Sequence, residues 1–322
     1  MANFYGAGIG FGSGSVAGGW VFQGDTYGYL AGGTYHSPAS VSADTVDKFA
    51  IASDGDSVGL AALDGLHQYC GGAMSATHGY IAAGQNGYPA YVPSDMIQKY
   101  HFSTDAGGVD TCNMPFTCNV ANGSSNGDEV VWQNPYNHAT TAITDFVCTV
   151  QTATDADAAN VACSSQARCD NGAVTDTNEG YAYFQSGSSC NSTKYTVIDR
   201  YQFGTTVDSA NIGDISVSRS SWSGTCDKTH GYLAGGHNWP VVNTLDRFAF
   251  GSSSDSADVG DMTRATYGGG QVSSSTSGYF QGGQATSDII QKYAHASSGN
   301  ASNVAVTSRR RDTAASFHVP SA

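Results

Sequence analysis

The chain has 322 residues, a formal net charge of −14 and only 12% charged residues, while glycine alone fills 41 positions. That balance argues against nucleic acid, whose phosphates need clustered Lys and Arg. No run of about eighteen apolar residues exists for a membrane-spanning helix, and the N-terminus lacks a basic region followed by an apolar core, so membrane insertion is not expected either.

In chain order, residues 1–12 are rich in Gly and aromatics and fall outside any pattern, which makes them a candidate docking arm. From residue 13 to 322 the sequence is one repeated sentence. Its first word is Gly-Tyr followed by apolar and small residues: Gly28-Tyr29-Leu30-Ala31-Gly32-Gly33, Gly79-Tyr80-Ile81-Ala82, Gly180-Tyr181-Ala182-Tyr183, Gly231-Tyr232-Leu233-Ala234 and Gly278-Tyr279-Phe280-Gln281. A degenerate copy is read at Val131-Trp132. The starts at 28, 79, 131, 180, 231 and 278 are separated by 51, 52, 49, 51 and 47 residues. Repetition at this period marks stacked supersecondary units.

A second word follows about twenty residues on, apolar-polar-basic-aromatic: Val46-Asp47-Lys48-Phe49, Ile97-Gln98-Lys99-Tyr100, Ile198-Asp199-Arg200-Tyr201, Leu245-Asp246-Arg247-Phe248 and Ile290-Gln291-Lys292-Tyr293. The third copy, read at Ile143-Thr144-Asp145-Phe146, breaks the rule. A third word, such as Ile212-Gly213-Asp214 or Val259-Gly260-Asp261, comes after an Asp- and Ser-rich turn. Approximate apolar alternation and Asp/Gly/Ser turns predict strands and hairpins. Each unit of about fifty residues reads as a four-stranded antiparallel sheet, and six of them bury their faces by stacking around an axis. The expected fold is all-β, a six-bladed β-propeller. Gly14–Gly24 or Thr313–Val319 would supply the inner strand of the first blade, so that the two termini fasten the ring.

Most chemically suggestive residues recur in phase and therefore read as architecture. His78 and His230 both stand in Thr-His-Gly-Tyr, and the basic residues of the second word are expected to bridge to an Asp of their own or a neighbouring blade. Arg309-Arg310-Arg311 reads as a turn paired with carboxylates. No catalytic residue, metal ligand or cofactor is assigned. Cys112 and Cys118 are six apart, as are Cys163 and Cys169, 51 residues later. Two short cross-turn disulfides are the leading reading, with free buried thiols as the alternative. Function is expected where the sentence breaks, in the third unit, which puts forward Trp132, Asn134, Tyr136, Asn137 and His138 as candidate binding residues.

The Gly-Gly doublets Gly32-Gly33, Gly235-Gly236 and Gly282-Gly283, each followed by the aromatic of the second word, resemble Kelch-like β-propellers. Leu245-Asp246-Arg247-Phe248, an Asp/Ser turn, then Asp258-Val259-Gly260-Asp261 is similar to the divergent Kelch-type repeats of tailed-phage virion proteins, especially marine ones. That resemblance implies a non-enzymatic virion component on a tail fibre, tail tip or capsid surface, partnered by other virion proteins and by host surface glycans. A lectin-type propeller of a cell surface or secreted protein is the alternative, and a Kelch-type sugar oxidase a more distant one.

Overall fold

The computed structural model describes residues 22–35, 41–86, 91–120, 123–189, 193–221, 224–284, 287–297, 299–318 and 320. The candidate arm at 1–12 lies outside the described residues. Among them the chain is all-β, its one helical element being the 3₁₀ turn Ile51–Ser53. Five sheets are four-stranded and antiparallel, four of them built from consecutive strands and one interrupted by an inserted hairpin. The second sheet runs Gly71–Met74, His78–Asn86, Val92–His101, Ala106–Asn113. The third runs Ser124–Ser125, Glu129–Gln133, Phe146–Gln151, Ala159–Cys163. The fourth runs Gly172–Asp176, Tyr181–Gln185, Val197–Gln202, Ala210–Asp214. The fifth runs Thr225–Cys226, His230–Gly236, Val242–Ala249, Ala257–Asp261, and the sixth Gly270–Ser273, Ser277–Gln281, Ile289–Ala294, Ser302–Val306.

The first sheet is assembled differently. Its leading strand is Ala315–His318 from the far end of the chain, paired antiparallel with Tyr27–Ala31, which in turn pairs with Val41–Ala50 and then Val58–His67. Of the two segments expected to compete for this place, the C-terminal one takes it. The short strands Thr34–Tyr35 and Arg311–Asp312 extend the same sheet.

Strand register explains why the first two words travel together. Gly28 faces Phe49, Gly79 faces Tyr100, Gly231 faces Phe248 and Gly278 faces Tyr293. A Cβ on Gly28 would stand 2.2 Å from Phe49 Cε1, and one on Gly278 2.4 Å from Tyr293 Cζ, so the ring lies directly over the bare glycine. The next residue pairs with the basic one: Tyr29, Tyr80, Tyr183, Tyr232 and Tyr279 face Lys48, Lys99, Arg200, Arg247 and Lys292.

This register corrects the sequence reading in two places. In the fourth sheet the repeat aromatic is Tyr183, not Tyr181, and Ala182 takes the glycine place opposite Tyr201. In the third, Val131 faces Thr149, so the second word is Val147-Cys148-Thr149-Val150 rather than Ile143-Thr144-Asp145-Phe146. The inserted hairpin Tyr136–Asn137 with Ala142–Ile143, which forms a small separate sheet with Cys118–Asn119, displaces the word by four residues. The third word is a β-bulge: Ile212 and Val259 are extra residues in the outer strand opposite Ile198/Asp199 and Leu245/Asp246, a device that increases local twist.

Three pairs of sheets are pinned in the same way. Lys48 reaches Asp105 of the second sheet at 2.6 Å, Lys99 reaches Asp155 of the third at 2.7 Å, and Lys292 of the sixth reaches Asp54 of the first at 2.9 Å. The tyrosines facing these lysines, Tyr29, Tyr80 and Tyr279, donate to the same carboxylates. All three Asp residues sit in left-handed turns at φ 49 to 50°, a conformation Asp tolerates better than most residues. The bridges expected from the second word therefore run to the neighbouring sheet. At the other junctions, Gly204 N–H donates to Glu129, Gly251 N–H to the Tyr183 hydroxyl, and the Tyr232 hydroxyl to the His295 carbonyl.

A second repeated layer is fully interior. Arg311 pairs with Asp47, Arg168 with Asp199 and Arg219 with Asp246, at 2.6, 2.7 and 2.6 Å. Arg311 thus leaves the basic run for the core, while Arg310 makes an exposed pair with Asp288 and Arg309 lies over the Tyr35 ring.

The disulfide expectation is corrected. Cys112, Cys118 and Cys163 are free thiols, and Cys169 is disulfide-bonded but not to Cys163. Cys112 belongs to the outer strand of the second sheet, whereas Cys118 pairs opposite Asn137 in the inserted sheet. Burial among apolar side chains raises the Cys112 thiol to about 11, and oxidation needs the thiolate.

Candidate functional site

Antiparallel order gives every sheet two ends. At one, the turns join first to second and third to fourth strands; at the other lie the second-to-third loops and the crossings to the next sheet. Both described termini sit at the first end. Gly24 N–H donates to the Ser273 carbonyl at 3.0 Å, Gln23 Nε2 to the Asp227 carbonyl at 3.0 Å, and Asp25 accepts from Ser275 N–H at 3.0 Å. Phe22 packs edge-on against His318, which also bonds the Phe22 carbonyl.

The opposite end carries the five residues singled out in the third unit, and they separate. Trp132 and Asn134 are core residues, 0% and 2% exposed. Asn134 holds a left-handed turn at φ 60° and accepts from Ser164 Oγ at 2.5 Å. Tyr136, Asn137 and His138 come together, half-buried, on the inserted hairpin. Tyr136 and His138 pack edge-on at 5.1 Å, His138 Nε2 lies 2.9 Å from Asn119 Oδ1, and Asn137 Oδ1 accepts from the Ala139 and Thr140 N–H groups of its own turn. Asn137 thus serves its own turn, while His138 ties the hairpin to Asn119 and, at 3.2 Å, to Gln85 of the second sheet.

The centre of this end is floored by backbone. Tyr69 N–H donates to Thr313 C=O, Val120 N–H to Tyr69 C=O, Thr313 N–H to Gly268 C=O and Ser221 N–H to Asp170 C=O, each bond crossing between sheets. Tyr69, Asp170, Gly268 and Thr313 are all left-handed, with φ between 56 and 72°. Around that floor stand side chains from several sheets. Burial first of all, then the charges of Asp312 and Asp170 and the ionisable hydroxyls of Tyr91 and Tyr267, push the Tyr69 hydroxyl up to about 12. Burial likewise raises the Asp170 carboxyl, with the Lys194 ammonium opposing the shift, and lowers Lys194 against the pull of Asp170.

Lys194 Nζ donates to Ser220 Oγ at 3.2 Å, and Ser220 forms a bridge with His237. The His237 ring contacts Tyr267 at 4.9 Å and, edge-on, Trp239 at 4.7 Å. Burial and the Lys194 charge both keep His237 below the ordinary imidazole value. Trp239 is 82% exposed, the most exposed large apolar side chain described. The fold thus hangs an unburied indole beside a half-buried cluster of rings, carboxylates and one ammonium. Trp239 was open to detection from sequence, since it alone of the four tryptophans precedes a proline, in a loop three residues after a Gly-Gly doublet.

Among the described residues, no group of three or more His, Cys, Asp or Glu is arranged to hold a metal, and no helix is long and apolar enough to cross a membrane. The sequence matches no family model and no curated protein.

Proposed function

We propose that the six sheets are the blades of a closed, six-bladed, Kelch-like β-propeller, and that the protein is a non-enzymatic display module on the surface of a tailed-phage virion. Two sets of contacts support the propeller. The leading strands touch in the order first, second, third, fourth, fifth, sixth and first again, and hydrogen bonds span all six junctions, the last from Tyr279 to Asp54. Pairing Ala315–His318 with Tyr27–Ala31 fastens such a ring through its two chain ends.

The observation that carries the functional reading is polarity. Phe22 and His318 sit together at one end, while Trp239 stands exposed at the other. A propeller held by its terminal end to a fibre, tail or capsid subunit presents the aromatic end outward, which suits attachment or decoration. The phage-like wording of the repeats supports the virion setting.

Two measurements test this. Images of the isolated chain should show a six-lobed ring, and antibodies to it should label intact particles of the phage that encodes it. Particles that lack the chain, or chain found only inside the host cell, would remove the virion reading.

A further inference from the structure

The aromatic end has a chemistry of its own. Trp239, His237 and Tyr267 form a continuous chain of ring contacts, from an indole that is 82% exposed to rings that are partly covered. Next to them, Lys194 Nζ donates to Ser220 Oγ at 3.2 Å beside the Ser220–His237 bridge, and Asp170 Oδ2 accepts at 3.3 Å from Ser188, which itself bridges to Lys194. An apolar protein surface seated here would have to desolvate the carboxylate and the ammonium. A ligand bearing both C–H faces and many hydroxyls has no such difficulty: its apolar face covers the rings and its hydroxyls donate to the carboxylate and accept from the ammonium. Aromatic rings are the side chains best suited to that mixture of apolar body and wet edge.

We propose that this end is a carbohydrate-binding site in which a hexopyranose ring of a surface polysaccharide stacks on Trp239, with Asp170 and Lys194 bonding its hydroxyls. The proposal deepens the display reading above and rests on it for the orientation of the site. The site lies between the fourth, fifth and sixth sheets, whereas the sequence had pointed to the third unit.

The full chain should be screened on an array of hexose, N-acetylhexosamine and uronic-acid oligosaccharides, and hits measured by calorimetry with wild type, Trp239→Ala and Asp170→Asn. Because Trp239 is so exposed, Trp239→Ala should keep the wild-type thermal midpoint yet bind at least about tenfold more weakly, as expected for an aromatic anchor. Asp170→Asn should weaken binding to glycans that present a hydroxyl donor. Absence of binding across the array, or Trp239→Ala binding as tightly as wild type, overturns the site. Host cells separate this from failure of the display reading. If purified chain competes with phage adsorption and periodate treatment of the cells abolishes the competition, the sugar site stands. If only protease treatment abolishes it, the module is displayed but its ligand is a protein, and the sugar site falls.

Discussion

Arg168 and Asp199 meet at 2.7 Å with neither side chain exposed, and the same place recurs in the register of the other sheets with other residues. The register aligns Arg311, His67, Cys118, Arg168, Arg219 and Thr266 before the leading strands, and Asp47, Gln98, Cys148, Asp199, Asp246 and Gln291 in the second word. Ion pairs occupy the first, fourth and fifth sheets; the second substitutes His67 and Gln98, 2.6 Å apart, and the third two buried thiols. Removing one member of a buried pair strands a charge, at a cost of about 3–5 kcal/mol. Arg168→Ala should therefore lower the unfolding free energy by about that much. The double change Arg168→His with Asp199→Gln, which copies the second sheet, should recover at least half. Urea titration decides this: a double variant no better than Arg168→Ala would mean the pairs are not interchangeable.

The bare glycine beneath Phe49 gives another test. A methyl at Gly28 would meet Phe49 Cε1 at 2.2 Å, so Gly28→Ala should destabilise by about 1–3 kcal/mol through overpacking. Adding Phe49→Leu should return part of it. The fourth sheet, where Ala182 already faces Tyr201, should tolerate Ala182→Gly with a change below about 1 kcal/mol. Equal losses at the two sites in thermal denaturation would exclude the packing account.

How far these elements were legible follows from the same positions. Period and strand character came through because Gly-Tyr and the basic-aromatic word are opposite halves of one cross-strand contact and must recur together. The third unit was misread because its hairpin pushes Val147-Cys148-Thr149-Val150 four residues downstream, while Ile143-Thr144-Asp145-Phe146 imitates the word nearby. Trp132 looked like a break in the pattern but occupies the place of Leu30 in the core, where any large apolar side chain serves. The Arg–Asp layer was invisible because its partners lie 31 and 27 residues apart in the fourth and fifth sheets, and at opposite ends of the chain in the first, and meet only when the sheets form. The cysteine spacing was an echo of the repeat and not a bonding pattern.

Thiol chemistry distinguishes the cysteines. Burial raises the thiols of Cys70, Cys148 and Cys226 to about 11, 12 and 12, and it pushes Cys118 well upward too. Cys163 is only half-buried. An aromatic disulfide reagent at pH 8 should react with Cys163 first and leave the buried thiols untouched, with all six free thiols among the described residues titrating once the chain is unfolded without reductant. Four thiols on unfolding would reinstate a second disulfide.

Stability should fall between pH 6.5 and 4 because of two buried histidines. His295 is 3% and His318 1% exposed, and burial lowers both from 6.5 to about 4. His318 uses both nitrogens as a neutral ring, Nδ1 accepting from Ser273 N–H and Nε2 donating to the Phe22 carbonyl. Because the folded values lie below the unfolded one, the unfolded chain binds more protons throughout that window, and stability rises with pH across it and levels off above 6.5. Each ring contributes on the order of 3 kcal/mol over the full window. Glu129, Asp170 and Asp176 act in the opposite sense, since burial raises them and protonation at low pH relieves the folded state. A direct comparison removes their influence. The double variant His295→Asn with His318→Gln should show a shallower loss of urea midpoint from pH 7 to 5 than wild type, whatever its stability at pH 7. An unchanged slope would mean that the two histidines are not the source of the acid sensitivity.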